Sequence, residues 1–332
     1  MNVFQRLLIM LVTASSLAGA QTIKLGSLAP EGSPYHAALM EMAEAWREIS
    51  DGKVNLRIYP GGIVGDESDM LRKMRIGQLH GAAVTSVNLI NITPDIEAFS
   101  FPTMVRTDEE LDAVIREVGP VIEKQLDERG FTLLSWTLAG WVHFFARSPV
   151  ITPEDLQQQK LFFWGSDTSY IELLKRTGFQ PVSLPVGELL PALQSGLVEA
   201  FASPPTVALA FQWYPRANHL TAMRWQPLPG CVLIDNRQWR KIPEALRPQL
   251  IEVAQQIAGK LMAESRMLEQ DAIAALREHG VELHEVPENV RQQWIELVER
   301  EGFPIFVGPR FSQDMFERVG AVTARFRDHD EE

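Results

Sequence analysis

The sequence predicts an α/β protein of two units in tandem, with a ligand cleft between them and a long C-terminal helix that braces both. Three observations carry this expectation. Alternating apolar strands exchange repeatedly with helical periodicities, the pattern of a mainly parallel sheet. That pattern restarts after Gly140, and an apolar stripe at helical spacing runs from Leu246 to Leu276. Of the 332 residues, 45% are hydrophobic and 22% charged, which is a globular composition, too apolar for a disordered chain. The formal net charge of -12 repels phosphate and argues against nucleic acid or an anionic membrane surface as a partner, since both call for basic surface.

At the N-terminus Arg6 precedes the apolar run 7–12, and small residues lead to Ala18-Gly19-Ala20. This is the form of a secretory signal cleaved after residue 20. It places the mature chain outside the inner membrane, periplasmic where there are two membranes, with no membrane insertion of its own. The alternative is a buried N-terminal strand or an uncleaved anchor. Cys231 is the single cysteine, so no disulfide closes within the chain and stability rests on core burial.

In the first unit, residues 22–26 alternate as a strand, and an approximately helical spacing from Ala37 to Trp46 stops at Asp51-Gly52. A second strand is expected over 54–59, a helix over 65–76, a buried strand over 81–85, a helix over 108–129 closed by Gly130, and a strand from Phe131. The second unit begins near Gly140. It reads as a helical turn with Pro153 at its first position, a strand over 160–164, a helix over 168–177, a strand over 181–184, a helix over 188–195 and a strand at 200–202. The long helix would extend about 50 Å over roughly 35 residues, and shorter helices are expected over 288–300 and 311–327. The expected division is 21–139 with part of 230–285 as lobe I, 140–229 as lobe II, and 240–332 as the C-terminal helices.

Catalytic patterns are missing. There is no Gly-x-Ser-x-Gly elbow, no Walker loop, no Gly-x-Gly-x-x-Gly and no His-Glu-x-x-His. Gly61-Gly62-Ile63-Val64-Gly65 lacks the Lys-Ser/Thr ending of a phosphate loop and reads as a turn. The histidines are scattered, and His279 with His284 straddle a helix end, so neither a metal nor another cofactor is expected. Cys231 reads as a buried thiol. Asp66-Glu67 and Glu109-Glu110 read as solvated carboxylates at helix starts. Capture of a small molecule by closure of two lobes is the class that remains.

Several segments resemble the solute-binding proteins of tripartite ATP-independent periplasmic (TRAP) transporters, of the DctP type. They are the stretch from Tyr59-Pro60-Gly61-Gly62 to Gly65-Asp66-Glu67, the stretch from Thr152-Pro153-Glu154-Asp155-Leu156 to Lys160-Leu161, and the stretch from Ala192-Leu193-Gln194-Ser195-Gly196 to Glu199-Ala200. The resemblance implies a two-lobed periplasmic-binding-protein-like fold, a small-molecule ligand in the cleft, no enzymatic activity, and delivery to the TRAP membrane permease; a helical-repeat accessory protein is conceivable. It breaks at the ligand clamp. The family's arginine after its Lys-Ile pair, which grips a carboxylate with a planar fork, is replaced by Phe162, and the arginine after its Gly-aromatic pair by Val142. The asparagine before a later proline becomes Ser203.

These departures make Phe162 and Trp164 the central candidates for the ligand site, with Phe163 turned behind the strand. The resemblance adds Trp141, Val142, Ser203, Thr85 and Ser86 to them, with Trp213 a further addition. The expected ligand is therefore apolar or amphiphilic. His143 and Arg147 are candidate replacements for the clamp, and organic-acid binding by a relocated arginine stays open. So do an exported enzyme without a recognisable local motif and a ligand sensor.

Overall fold

A computed structural model describes residues 20–164 and 168–327 of the chain. Of the expected signal segment, residues 1–20, all but Ala20 lies outside the described residues. Strands are β1 (Gln21–Gly26), β2 (Val54–Tyr59), β3 (Gly81–Thr85), β4 (Phe131–Ala146), β5 (Lys160–Trp164), β6 (Gln180–Leu184), β7 (Ala200–Ser203), β8 (His219–Ala222), β9 (Gln226–Asp235) and β10 (Glu282–Glu285). Their order is β2-β1-β3-β9-β4-β7-β5-β6, with β8 against β4 and β10 against β8.

The outer strands run parallel, as expected: β1 with β2 and β3, and β5 with β6 and β7. The centre does not, because β9 is antiparallel to both β3 and β4, and β4 is antiparallel to β7 and β8. The sequence pattern suggested no strand at β8, β9 or β10. In β9 the signal was masked by Pro227 and Pro229, which ordinarily argue against a central strand. They flank the interruption of the β4 ladder, Pro229 opposite Leu138 and Pro227 opposite Trp141, beyond the last residue paired with β3, Gly230. A missing N–H is tolerated there.

β4 is longer than its sequence pattern implied. It is one strand of 16 residues that starts in the first unit and ends in the second. Phe131 to Val142 pair with β9, whereas His143 to Ala146 pair with β7. At the turning point Gly140 has φ 129°, and a Cβ there would stand 2.9 Å from Cβ of Pro204. Only glycine occupies that backbone without strain and without a clash.

The expected helix over 108–129 is two helices, Asp108–Glu117 and Gly119–Glu128. Pro120, which has no N–H to offer and crowds the preceding turn, separates them. The turn at Pro153–Gln157 carries a full capping box between Thr152 and Asp155. The long helix spans Arg247–Glu278. Near its start Leu250, Ala254 and Ile257 pack into the first lobe's core, where Trp46 Nε1 donates to the Leu250 carbonyl at 3.0 Å. Near its end Ile273 and Leu276 pack with Phe145 and Phe201 of the second lobe. One rigid rod thus contributes to both cores.

These backbone arguments predict opposite outcomes for two Gly→Ala substitutions, measured by urea unfolding. Gly140→Ala destabilises by about 1–3 kcal/mol. Gly259→Ala, exposed in the long helix with nothing within 4 Å of the new methyl, stabilises by about 0.5–1 kcal/mol.

Candidate functional site

Between the lobes lies a cleft of about 1230 Å³ with walls from both. The first lobe's wall is built where β3 ends and the helix Glu67–Arg75 begins. Asp66 caps that helix, its side chain accepting from the Glu67 amide at 2.7 Å. Glu67 then turns inward and is buried, in contrast to the solvated carboxylate expected from sequence. Its Oε2 accepts from the Thr85 amide at 3.0 Å, Thr85 Oγ1 at 2.9 Å and Asn88 Nδ2 at 3.0 Å. Burial raises its pKa from 4.5 to about 7; the bonds from Thr85 and Asn88 offset only part of that, and the neighbouring Asp66 charge adds to it. Glu110 was misread in the same way: it is buried and receives Arg327 Nε at 3.1 Å.

The second lobe's wall is aromatic. Phe144, Phe162, Trp164, Trp213, Trp225 and Trp294 all border the cleft. Phe162 is mostly covered, since it also belongs to the second lobe's core with Phe145 and Leu189. Phe163, expected behind the strand, stacks on Tyr170 at 5.1 Å between ring centroids, and both rings border the cleft. Trp164 reaches across: its Nε1 donates to Asp66 Oδ2 at 3.1 Å, so the strand end of one lobe is tied to the helix cap of the other.

Of the residues singled out in the sequence, Phe162, Trp164, Val142, Ser203, Thr85, Ser86 and Trp213 border the cleft. Trp141 does not. It is buried in the first lobe's core, donates from Nε1 to Asp108 Oδ1 at 2.6 Å, and lies under the Arg224 guanidinium at 5.2 Å. The two candidate clamps are elsewhere as well. His143 is buried between the Thr221 carbonyl and Glu269 Oε1, each at 3.1 Å. Arg147 is exposed and donates to the Leu193 carbonyl.

Another arginine stands near the expected clamp, yet it is engaged away from the cleft. Arg224 bonds Glu269 at 2.7 Å and Asp108 at 3.1 Å. Burial by itself would raise the Glu269 pKa; the bonds from His143 and Arg224 outweigh it and hold the carboxylate below its usual range. The cluster joins the long helix, the end of β8 and the helix Asp108–Glu117 without bordering the cleft.

Among the described residues bordering the cleft there is no Arg, Lys or His, while Asp66, Glu67, Asp69, Glu97 and Asp271 are acidic. Glu97 is occupied by Arg310 at 2.9 Å. Two polar atoms on the wall are buried without a hydrogen-bond partner, Ser86 Oγ and Gln226 Oε1, and among the described residues these are the two such side-chain atoms. Each such group costs about 1–3 kcal/mol until a partner arrives. The cleft thus offers hydrogen-bonding places at Ser86 and Gln226 within aromatic surroundings. Sequence reasoning missed Gln226, Glu67, Phe144, Trp225 and Trp294; β9 was the unread strand that brings Gln226 to the cleft, and aromatic content alone did not single out Trp294 from the core.

Glu67 makes stability pH-dependent with a definite sign. The folded chain holds its proton more tightly than the unfolded chain, so the associated stability is full below about pH 4.5 and is lost as pH rises through about 7. The loss sums to roughly 3 kcal/mol. Glu67→Gln keeps an oxygen for Thr85 and Asn88 and removes the titration. Urea unfolding from pH 4.5 to 8 should therefore show the variant gaining on the natural chain as pH rises; parallel curves would mean that Glu67 is ionised throughout.

The sequence model of the family described as bacterial extracellular solute-binding protein, family 7 (DctP), matches residues 25–301. The C4-dicarboxylate-binding periplasmic protein DctP of Rhodobacter capsulatus is 22% identical over 316 residues, covering 94% of this chain and 91% of its own length. A TRAP periplasmic solute-binding protein of Haemophilus influenzae, solved with L-gulonate, is 18% identical with a TM-score of 0.84 over 91% of this chain and 99% of that one. Another, from Sulfurospirillum deleyianum with succinate, is 22% identical with a TM-score of 0.83 over 92% and 100%. At these identities the structural likeness shows the shared two-lobed fold.

Proposed function

Because the chain belongs to family 7 of the bacterial extracellular solute-binding proteins, which bind solutes for transport and are not enzymes, we propose that it captures an amphiphilic molecule in the periplasm. It would then present that molecule to the TRAP membrane permease. The apolar body lies against Phe162, Trp164 and the other rings of the second lobe. The polar end carries a hydrogen-bond donor, which meets Gln226 Oε1 and Ser86 Oγ. Closure is sealed by the bond from Trp164 to Asp66.

The observation that carries this reading is the absence of Arg, Lys and His from the described cleft wall, where carboxylates and aromatic rings stand together. A ligand carboxylate left there without a cation costs several kcal/mol. Apolar ligand surface instead gains about 25 cal/mol per Å² removed from water, so ~200 Å² contributes ~5 kcal/mol. The volume, about 1230 Å³, leaves room for a molecule larger than succinate.

The ligands named for the relatives support a second reading, in which this chain also takes an organic acid. That reading needs a cation at the ligand. Arg147 and Arg224 would each have to leave the partners described above.

Thermal unfolding of the mature chain against a ligand panel separates the two. Fatty-acid-derived alcohols and amides or aromatic amides should raise the midpoint, and succinate, L-gulonate and galacturonate should leave it unchanged at millimolar concentration. Saturable micromolar binding of the acids would sink the proposal. Native mass spectrometry of protein purified from its source should show an apolar molecule released unchanged. Trp164→Phe keeps the ring and deletes the bond to Asp66; stopped-flow release of a bound amphiphile should quicken about fivefold to tenfold, the worth of one hydrogen bond.

A further inference from the structure

Outside the cleft, on the second lobe, three side chains with metal-ligating atoms converge on the short parallel pair β8 and β10. Glu282 is the register partner of His219 across the two strands. His284, two residues beyond Glu282, returns to the same face of β10. Nδ1 of His219 stands 2.9 Å from Nε2 of His284 and 3.7 Å from Oε2 of Glu282. One ligand atom from each residue lies within 4.8 Å of the others. His279, which the sequence suggested as a neighbour of His284, stacks on Tyr214 at 5.4 Å.

We infer that His219, Glu282 and His284 form a binding site for a divalent transition ion of the zinc class. Two imidazole nitrogens at 2.9 Å are joined either by one proton or by one ion. Metal–nitrogen bonds of ~2.0–2.1 Å put donors at right angles ~2.9 Å apart and tetrahedral donors ~3.3 Å apart, so the observed pair lies within a slight adjustment of either geometry. The carboxylate supplies the negative charge that two neutral imidazoles lack. Glu282 is 64% exposed and free to swing inward, whereas His219 is only 15% exposed and holds its place. Two imidazoles and one carboxylate suit zinc, nickel or copper, and they do not suit calcium or magnesium, which favour all-oxygen shells. Solvent takes the remaining positions on the open side.

The ion would have a mechanical consequence. β10 follows the end of the long helix, and its strand partner is β8, which is itself paired with the last residues of β4. An ion across β8 and β10 clips the chain leaving the long helix to the second lobe. None of the three residues borders the cleft, so the site stands or falls independently of the ligand proposed above.

The test uses the mature chain, stripped with chelator, dialysed and titrated with zinc chloride by calorimetry. One ion per chain is expected, together with a rise in unfolding temperature that chelator reverses. His284→Ala and His219→Ala should each weaken binding by at least about tenfold, whereas His279→Ala leaves it unchanged. Cobalt(II) bound to the natural chain should show visible absorption bands of an imidazole-ligated ion, a readout that does not depend on how stable the variants are. A Kd weaker than ~100 µM for the natural chain, or unaltered zinc affinity in a folded His284→Ala chain, would overturn the site.

Discussion

The two lobes share backbone, and the architecture follows from that constraint. β4 is hydrogen-bonded to β9 along its first part and to β7 along its last residues. Neither lobe can move without bending this strand. The bend is placed at Gly140, where the ladder slips and the backbone takes a positive φ against Pro204. The long helix adds a second shared element, with its early turns in one core and its late turns in the other. A cleft is then unavoidable beside the bend. At its opposite edge Trp164 donates to Asp66 and Tyr170 packs edge-on against Phe306 at 5.2 Å.

Charge is sorted around the cleft with some economy. Two arginines are engaged in ion pairs: Arg224 with Glu269 and Asp108, and Arg310 with the cleft residue Glu97. What faces the cleft is a set of rings, a protonatable Glu67 and the unpartnered ends of Ser86 and Gln226. At Glu67 burial favours the protonated carboxyl, which spares the wall one buried charge.

Much of this was legible in the chain. Phe162 and Trp164 border the cleft, but so does Phe163, which alternation over 160–164 had placed behind the strand. The helix expected over 65–76 is found at Glu67–Arg75, and the apolar stripe from Leu246 located the long helix to within two residues at each end. What was misread has physical causes. Glu67 looks like any acidic residue in a first helical turn; only the approach of Thr85 and Asn88, distant in sequence, makes it a buried acceptor. Trp141 was singled out by the family resemblance, but its indole N–H found Asp108 and Arg224 covered its ring. β9 carried two prolines, and nothing local announces that the β4 ladder is interrupted between their partners.

The sequence by itself determined the α/β class, the outer parallel strands with the helices between them, and the long bracing helix. These depend on periodicity, turn chemistry and residue type, all of which act over a few neighbours. The tertiary structure alone decided which carboxylates are buried, which arginines are already paired, and that Gln226 and Trp294 meet at the same cleft as Ser86. Those outcomes depend on groups brought together from far apart in the chain, because desolvation and hydrogen-bond pairing are set by everything within a few ångströms and by nothing in the local pattern.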